Sequence, residues 1–273
     1  MAEQTGIAWT DHTFNPWIGC TALSPACDHC YAEALVKRWG GDFGVRRRTA
    51  PANWRLPLRW NRAAQASGVR RRVFCASLAD VFDNKVPDAW RSDLWALIRE
   101  CHCLDFQLLT KRPQNIARML PPDWGVGWSN VWLGATAENQ EETARRLPHL
   151  LRIPVAVRFL SVEPMLSFVD ISAGLPGISW VIIGGESGAG ARPMHAEWAY
   201  DLLGQCQAAG IAPFMKQIGG NRGPDWPAGI TGKGDDPAQW PEWCRVQCFP
   251  ESAPPRAPGV GTADLFAGAS DAR

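Results

Sequence analysis

The stretch VFCASLADVFDNKVPDAWRSDLWALIRECHCLDFQLLT, residues 73–110, carries the main signal for the architecture of this chain. Short apolar runs at 73–78 and 106–110 are typical of buried strands. Between them, apolar side chains recur at helical spacing, namely Trp90, Leu94, Leu97 and Ile98. The pattern therefore predicts a helix over 88–101. A strand, a helix and a second strand in this order form the unit of a parallel α/β sheet.

The same alternation continues on both sides of this unit. Further strands are predicted at 12–18, 131–135, 157–162, 180–184 and 213–218. Further helices are predicted at 31–39, 113–119, 138–150 and 196–209. The regular alternation predicts a parallel α/β sheet or barrel over residues 1–220. Residues 221–249 are predicted to form an irregular cover, and the Pro-, Ala- and Gly-rich segment 250–273 a disordered tail.

Charged or amide side chains follow almost every predicted strand. They are Asp80, Lys111, Arg112, Glu138, Glu163, Glu186, Lys216 and Gln217. In a (β/α) barrel, the carboxyl ends of the strands build the active site. Any single Asp or Glu among these residues could instead cap a helix. Their repetition after strand upon strand favours a shared site.

The composition indicates a globular protein with a sizeable core. The 273-residue chain is 46% hydrophobic and 20% charged, which excludes a wholly disordered protein. No apolar run reaches the roughly 18 residues that a membrane span needs. The opening MAEQTGIAWTDH lacks the basic and apolar regions of a secretory signal. We therefore predict a cytoplasmic protein that does not enter a membrane.

Positive charge is concentrated in one segment. Residues 37–72 hold eleven Lys and Arg residues against one acid, Asp42, whereas the whole chain has a net charge of +1. Trp and Arg alternate at 54–60 (WRLPLRW), a composition that suits base stacking as well as ordinary packing. The segment predicts a surface for a polyanion such as nucleic acid. The alternative is a solvated loop.

Three cysteines lie close together at the end of the first predicted strand. The motif is Cys20-TALSPA-Cys27-DH-Cys30, and it leads into the predicted helix 31–39. Thiolates suit soft metals and iron–sulfur clusters. Three ligands leave one position open on a cubane cluster, or on zinc unless a histidine closes it. His12 and His29 are the nearby candidates, although His29 stands awkwardly between two of the cysteines.

These residues resemble the radical S-adenosylmethionine (radical SAM) superfamily. The usual spacing there is C-x3-C-x2-C with an aromatic residue before the last Cys, whereas here six residues separate Cys20 from Cys27 and His29 takes the aromatic position. More closely, the chain resembles a phage-associated family of unknown function defined by a three-Cys motif. The matching stretches are 9–20 (WTDHTFNPWIGC), 27–33 (CDHCYAE), 74–83 (FCASLADVFD), 108–113 (LLTKRP), 130–134 (NVWLG), 158–164 (RFLSVEP), 184–193 (GGESGAGARP) and 216–219 (KQIG).

The resemblance implies a partial (β/α)6 TIM-like barrel. In it, Cys20, Cys27 and Cys30 would hold a [4Fe–4S] cluster whose open iron chelates SAM. Reductive cleavage of SAM would give a 5′-deoxyadenosyl radical that acts on an unknown substrate, which the basic segment suggests is a nucleotide or nucleic acid. Such chemistry needs an external electron donor, and a genetically linked partner protein is a further expectation.

The resemblance also suggests roles for the charged residues at the strand ends. Those assigned to SAM are His29 near the adenine, Ser77 and Asp80 on the methionine amino group, Lys111 or Arg112 on its carboxylate, and Glu138 on the ribose hydroxyls. Those assigned to the substrate side are Glu163, Glu186, Lys216 and the anion contact Arg192. Gly184-Gly185-Glu186 follows the sixth predicted strand, whereas many radical SAM enzymes carry Gly-Gly-Glu after the second. It therefore cannot simply inherit that motif's role.

A second hypothesis keeps the three cysteines but not the radical chemistry. The chain would then be a zinc or iron–sulfur module of a phage or mobile element that binds nucleic acid or a partner protein. Metal content and SAM cleavage distinguish the two hypotheses.

Overall fold

A parallel sheet of seven strands organises residues 5–250, the part of the chain that the computed structural model describes. In chain order the strands are β1 His12–Thr13, β2 Trp17–Ile18, β3 Arg47–Arg48, β4 Arg71–Cys75, β5 Leu104–Thr110, β6 Val131–Thr136, β7 Val157–Val162, β8 Trp180–Gly184 and β9 Ala212–Gln217. The helices are α1 Tyr31–Arg38, α2 Pro51–Trp54, α3 Leu56–Ser67, α4 Asp88–Glu100, α5 Ile116–Met119, α6 Gln140–Leu151 and α7 Ala196–Ala209.

The strand order is β1-β4-β5-β6-β7-β8-β9, and every neighbouring pair is parallel. Strands β2 and β3 form a separate antiparallel pair. The curled sheet forms a half-barrel. It does not close into a full barrel, because β1 and β9 stand at its opposite ends and do not pair. The predicted partial barrel is confirmed, with seven parallel strands in place of the six implied.

Alternate residues along the strands pack into two separate apolar clusters. One lies inside the curl and is built from aromatic side chains, among them Trp9, Phe74, Trp132, Phe159, Trp180 and Phe214. The other includes Val73, Leu108 and Val181 and reaches helix residues such as Leu94 and Leu202. This period of two is what a sheet covered on both faces requires. The aromatic cluster fills the inside of the half-barrel.

Gly134 in β6 makes room for one of these aromatic rings. A Cβ at this position would overlap the ring of Phe159 on the neighbouring strand. Gly134→Ala is therefore expected to lower the free energy of unfolding by about 1–3 kcal/mol, measured by urea denaturation. Gly204→Ala in α7 is the matched control, because no atom lies within 4 Å of the new Cβ. It should be neutral or stabilising, and equal losses in both variants would contradict the packing argument.

Two predicted elements differ from the structure. The predicted strand 12–18 is interrupted at Pro16, which lacks the N–H that a ladder needs, so β1 is short and β2 pairs with β3. The predicted helix 113–119 is a 3₁₀ turn, Pro113–Asn115, followed by the single turn α5. The sequence analysis also missed α2 and α3, which lie in the basic segment.

The basic segment is partly neutralised inside the fold. Four of its arginines pair with acids from outside residues 37–72: Arg46 with Asp83, Arg48 with Asp93 at 2.6 Å, Arg70 with Asp105 at 2.5 Å and Arg71 with Asp11 at 4.0 Å. The Arg72 guanidinium is 5% exposed and lies 3.6 Å from the centroid of the Phe249 ring. The charge asymmetry of the sequence therefore partly reflects ion pairs between distant segments.

Residues 219–250 contain two 3₁₀ turns, Pro237–Gln239 and Glu242–Cys244, and little other regular structure. They return to β9, where Met215 N–H donates to the Val246 carbonyl at 2.8 Å and Cys248 N–H to the Pro213 carbonyl at 2.9 Å. The predicted tail lies outside the described residues from 251 onward. Within residues 5–250, no helix has the length and apolar character needed to cross a bilayer.

Candidate functional site

A cavity of about 590 Å³ opens at the carboxyl ends of the strands. Cys20, Cys27 and Cys30 all line it, and each is partly exposed. Four of the other thiols are buried, namely Cys75, Cys101, Cys206 and Cys244, and burial raises the pKa of Cys206 and Cys244 to about 12. Those two thiols therefore stay protonated at neutral pH. The three cysteines of the motif all line the wall of this cavity.

The cysteine loop leaves the sheet at a tight turn. Gly19 adopts φ of +116°, and its N–H donates to the Leu78 carbonyl at 3.0 Å. A Cβ there would overlap the Val45 carbonyl, so glycine is required on both conformational and steric grounds. A short 3₁₀ turn, Pro25–Cys27, then bends the loop, and Cys30 immediately precedes α1.

Two arginines anchor the start of this loop. Arg112 Nη1 lies 3.4 Å from Cys20 Sγ, and its Nη2 donates to the Thr21 carbonyl at 3.0 Å. Arg46 donates to the Cys20 carbonyl at 3.1 Å and to Thr21 Oγ1 at 2.7 Å. Burial raises the pKa of the Cys20 thiol, and the positive charge of Arg112 partly opposes that rise.

Asp80 holds Arg112 in place and has no acceptor position left over. Its Oδ1 accepts from Thr110 Oγ1 at 2.7 Å and from Phe82 N–H at 2.9 Å. Its Oδ2 accepts from Lys111 N–H at 3.1 Å and from Arg112 Nη1 at 3.0 Å. A carboxylate offers about four lone-pair positions, so these four contacts fill the acceptor capacity of Asp80, which also lines the cavity.

Glu138 anchors the middle of the loop. Its Oε1 accepts hydrogen bonds from Ser24 Oγ and from Ala26 N–H, and its Oε2 pairs with Arg146 Nη1 at 2.5 Å. Glu138 and Arg146 are both essentially inaccessible to solvent. Burial alone would raise the pKa of Glu138, but Arg146 and Ser24 outweigh it and the pKa is lowered. Glu138 is not on the cavity wall, so it is not placed to meet the predicted ribose hydroxyls.

Glu186 and Arg192 anchor the end of the loop. Arg192 Nη2 and Nε donate to Glu186 Oε1 and Oε2 at 2.6 and 3.0 Å. The same guanidinium reaches the Pro25 carbonyl at 2.8 Å and Asp28 at 3.1 Å, while His29 Nδ1 lies 2.9 Å from Glu186 Oε2. Burial opposes ionisation, but the bonds from Arg192 prevail and lower the pKa of Glu186 to about 2. Glu186 and Arg192, two of the four residues assigned to the substrate side, thus hold the cysteine loop.

Other predicted residues remain on the cavity wall. Lys111 lines the cavity, and its ammonium has no carboxylate partner among the described residues. Glu163, which follows β7, and Lys216 of β9 form an ion pair across the end of β8. Ser77 faces the cavity and accepts a hydrogen bond from Asn15 Nδ2 at 3.0 Å. The floor is apolar and includes Trp9, Phe74 and Leu109.

The sequence analysis missed several contributors to this site. They are Asn15, Ser24, Tyr31, Arg46, Asp83 and Arg146. Apart from Arg146, which lies eight residues from Glu138, each acts through a partner far away in the chain, so no local spacing could reveal it. The sequence did show charged residues after successive strands, and these indicated that the site lies at the carboxyl ends of the strands.

Comparison with known proteins identifies the family. Residues 4–243 match the sequence profile described as "Protein of unknown function (DUF5131)". The chain belongs to this family. No curated protein matched this DUF5131 member.

Among solved structures, the DUF5131 chain is similar to a double mutant of spore photoproduct lyase with bound AdoMet and dinucleoside spore photoproduct. The identity is 10% and the TM-score is 0.47. The match covers 77% of this chain and 56% of the other, so the chain spans about half the length of that structure.

Proposed function

We propose that this protein is a radical SAM-like iron–sulfur enzyme acting on an unidentified substrate in the cavity. One observation carries the proposal: three thiols from a single loop line one cavity at the carboxyl ends of a half-barrel. Three buried or half-buried ion pairs hold that loop, namely Asp80–Arg112, Glu138–Arg146 and Glu186–Arg192. A loop fixed at its start, middle and end is suited to present ligands in a defined arrangement.

The donor set fits a cubane cluster. Within the described residues, no three His, Cys, Asp or Glu side chains are grouped so as to hold a single metal ion. A [4Fe–4S] cluster makes a different demand, because its cysteines bind separate irons. Cys20, Cys27 and Cys30 would bind three of the irons and leave the fourth for SAM. When bound, the cluster and SAM would supply electron transfer and a carbon-centred radical.

The chain's own residues would bind, orient and exclude water. Lys111 would face the SAM carboxylate, because both Nη groups of Arg112 already contact protein atoms. His29 would lie beside the adenine, and Glu163 with Lys216 would contact the substrate. The apolar floor around Trp9 would keep water from the reacting groups.

Anaerobic reconstitution tests the proposal directly. We expect about four irons per chain, and release of 5′-deoxyadenosine when dithionite and SAM are added. Cys27→Ala should lose iron and SAM cleavage. Cys103→Ala, which removes a partly buried thiol away from the cavity, should keep both. One zinc per chain without SAM cleavage would contradict the proposal and support the zinc-binding module.

Ion pairs within the fold reduce the number of basic residues of 37–72 that could bind a nucleic acid. Lys37 of this segment pairs with Glu33 at 2.7 Å. Arg38, Arg47, Arg55 and Arg62 are exposed, and four contacts to phosphate would give a slope of log K against log salt of about −3.6. A salt titration with single-stranded DNA and RNA measures this slope. Affinity independent of salt would remove nucleic acid as the ligand of this segment.

A further inference from the structure

Cys20 differs from the other two cysteines of the loop in what surrounds its sulfur. Arg112 Nη1 lies 3.4 Å from Cys20 Sγ, within hydrogen-bond range for sulfur. Arg112 is buried, and its guanidinium is held at 3.0 Å by Asp80 and by the Thr21 carbonyl. In the described part of the chain, Cys27 and Cys30 have no such side-chain donor on sulfur.

A buried cationic donor on a ligand sulfur has a definite electrostatic effect. Hydrogen bonds to the sulfurs and the net charge around a cluster help to set its reduction potential. Reduction adds one negative charge to the cluster, and a fixed positive charge close to the sulfur stabilises that reduced state more than the oxidised one. The low effective dielectric of a buried position strengthens the effect.

We infer that Arg112 is a positioning residue that acts through Cys20, raising the reduction potential of the cluster and strengthening the attachment of its Cys20-bound iron. This inference rests on the proposed function. It replaces the SAM-carboxylate role that the resemblance gave Arg112. The reaction concerned is the one-electron reduction of the cluster by an external reductant, and no covalent bond forms or breaks.

The neighbouring Arg46 allows a matched comparison. It anchors the same two residues, Cys20 and Thr21, but through the Cys20 carbonyl and the Thr21 hydroxyl rather than through sulfur. Arg46 also has a buried carboxylate partner, Asp83, as Arg112 has Asp80, and Asp83 lies 3.9 Å from Arg112 Nη2 as well. Lysine at either position keeps a positive charge near the carboxylate. Because an ammonium lacks the planar fork, it cannot hold Asp80 and reach Cys20 Sγ at the same time.

The test is a dithionite-driven redox titration of the reconstituted full-length protein, followed by the cluster's electron paramagnetic resonance signal. We expect Arg112→Lys to lower the midpoint potential, so that the ratio of reduced to oxidised cluster at a fixed potential falls about tenfold, equivalent to about 59 mV for one electron. Arg46→Lys should leave the potential close to that of the unmodified protein. Loss of iron to a chelator should accelerate only in Arg112→Lys.

Each outcome has a clear meaning. An unchanged potential in Arg112→Lys with four irons present would overturn the inference. So would equal shifts, or equal loss of iron, in the two lysine variants, because loop anchoring would then explain both. If Arg112→Lys alone cannot retain iron, the attachment of Cys20 is the affected step and the inference stands. If the unmodified protein itself binds no cluster, the proposed function fails, a result distinct from failure of the Arg112 inference.

Discussion

Glu138→Ala is expected to lower the free energy of unfolding by about 3–5 kcal/mol and to prevent stable iron uptake. Glu138 is fully buried against Arg146, and its removal breaks a buried ion pair and leaves that arginine with Glu142, at 2.7 Å, as its remaining carboxylate partner. The middle of the cysteine loop also loses its acceptor for Ser24 and Ala26. A natural domain has only about 5–15 kcal/mol of stability, so the variant should be marginally folded.

Urea denaturation followed by circular dichroism measures the loss, and reconstitution measures the iron. Glu141→Ala is the matched control, because it removes a nearby carboxylate that is exposed. Glu141 lies in the first turn of α6. It should change stability by less than about 0.5 kcal/mol. A loss below about 1 kcal/mol in Glu138→Ala would show that the pair with Arg146 is not essential to the loop.

The second large effect is a loss of folding stability at acidic pH. The pKa of Glu186 is lowered to about 2 from its ordinary value of 4.5. A carboxyl group with a depressed pKa in the folded state contributes stability that is fully present above its unfolded pKa. That contribution is lost as the pH falls from about 4.5 towards 2, because protonation breaks the contacts with Arg192. At about 1.4 kcal/mol per pKa unit, the full effect is about 3 kcal/mol.

Comparison of unfolding curves between pH 2 and pH 7 tests this linkage. Glu186→Gln should be less stable at pH 7 and should approach the unmodified protein near pH 2. Glu197→Gln, which alters an exposed carboxyl group on α7, should follow the unmodified protein throughout. Parallel curves for Glu186→Gln and the unmodified protein would show that Glu186 does not carry the acid sensitivity.

The strands of the half-barrel could be predicted because buried parallel strands appear as continuous apolar runs. β5 through β9 overlap their predicted ranges closely. The length of β1 was overestimated, because the apolar run continues through Pro16 whereas the hydrogen bonds between strands cannot. α2 and α3 were missed because Pro57 and a series of arginines obscure the apolar face that Trp60 and Ala64 bury.

The location of the candidate site could also be predicted, but not the tasks of its charged residues. The positions of Asp80, Glu138 and Glu186 after successive strands marked the rim of the sheet. Whether such a carboxylate faces a ligand or a loop depends on which arginine reaches it, and those arginines are set by tertiary structure. Lys111 and Glu163 keep cavity positions because their neighbours leave them accessible.

The anchoring of the cysteine loop has a consequence for biosynthesis. Arg192, which holds the end of the loop, follows the last of the three cysteines by more than 160 residues in the chain. A nascent chain folds progressively from its amino terminus, so the end of the loop gains this anchor only after the whole intervening segment has been made. Complete anchoring of the cysteine loop is therefore a late event relative to the synthesis of its cysteines.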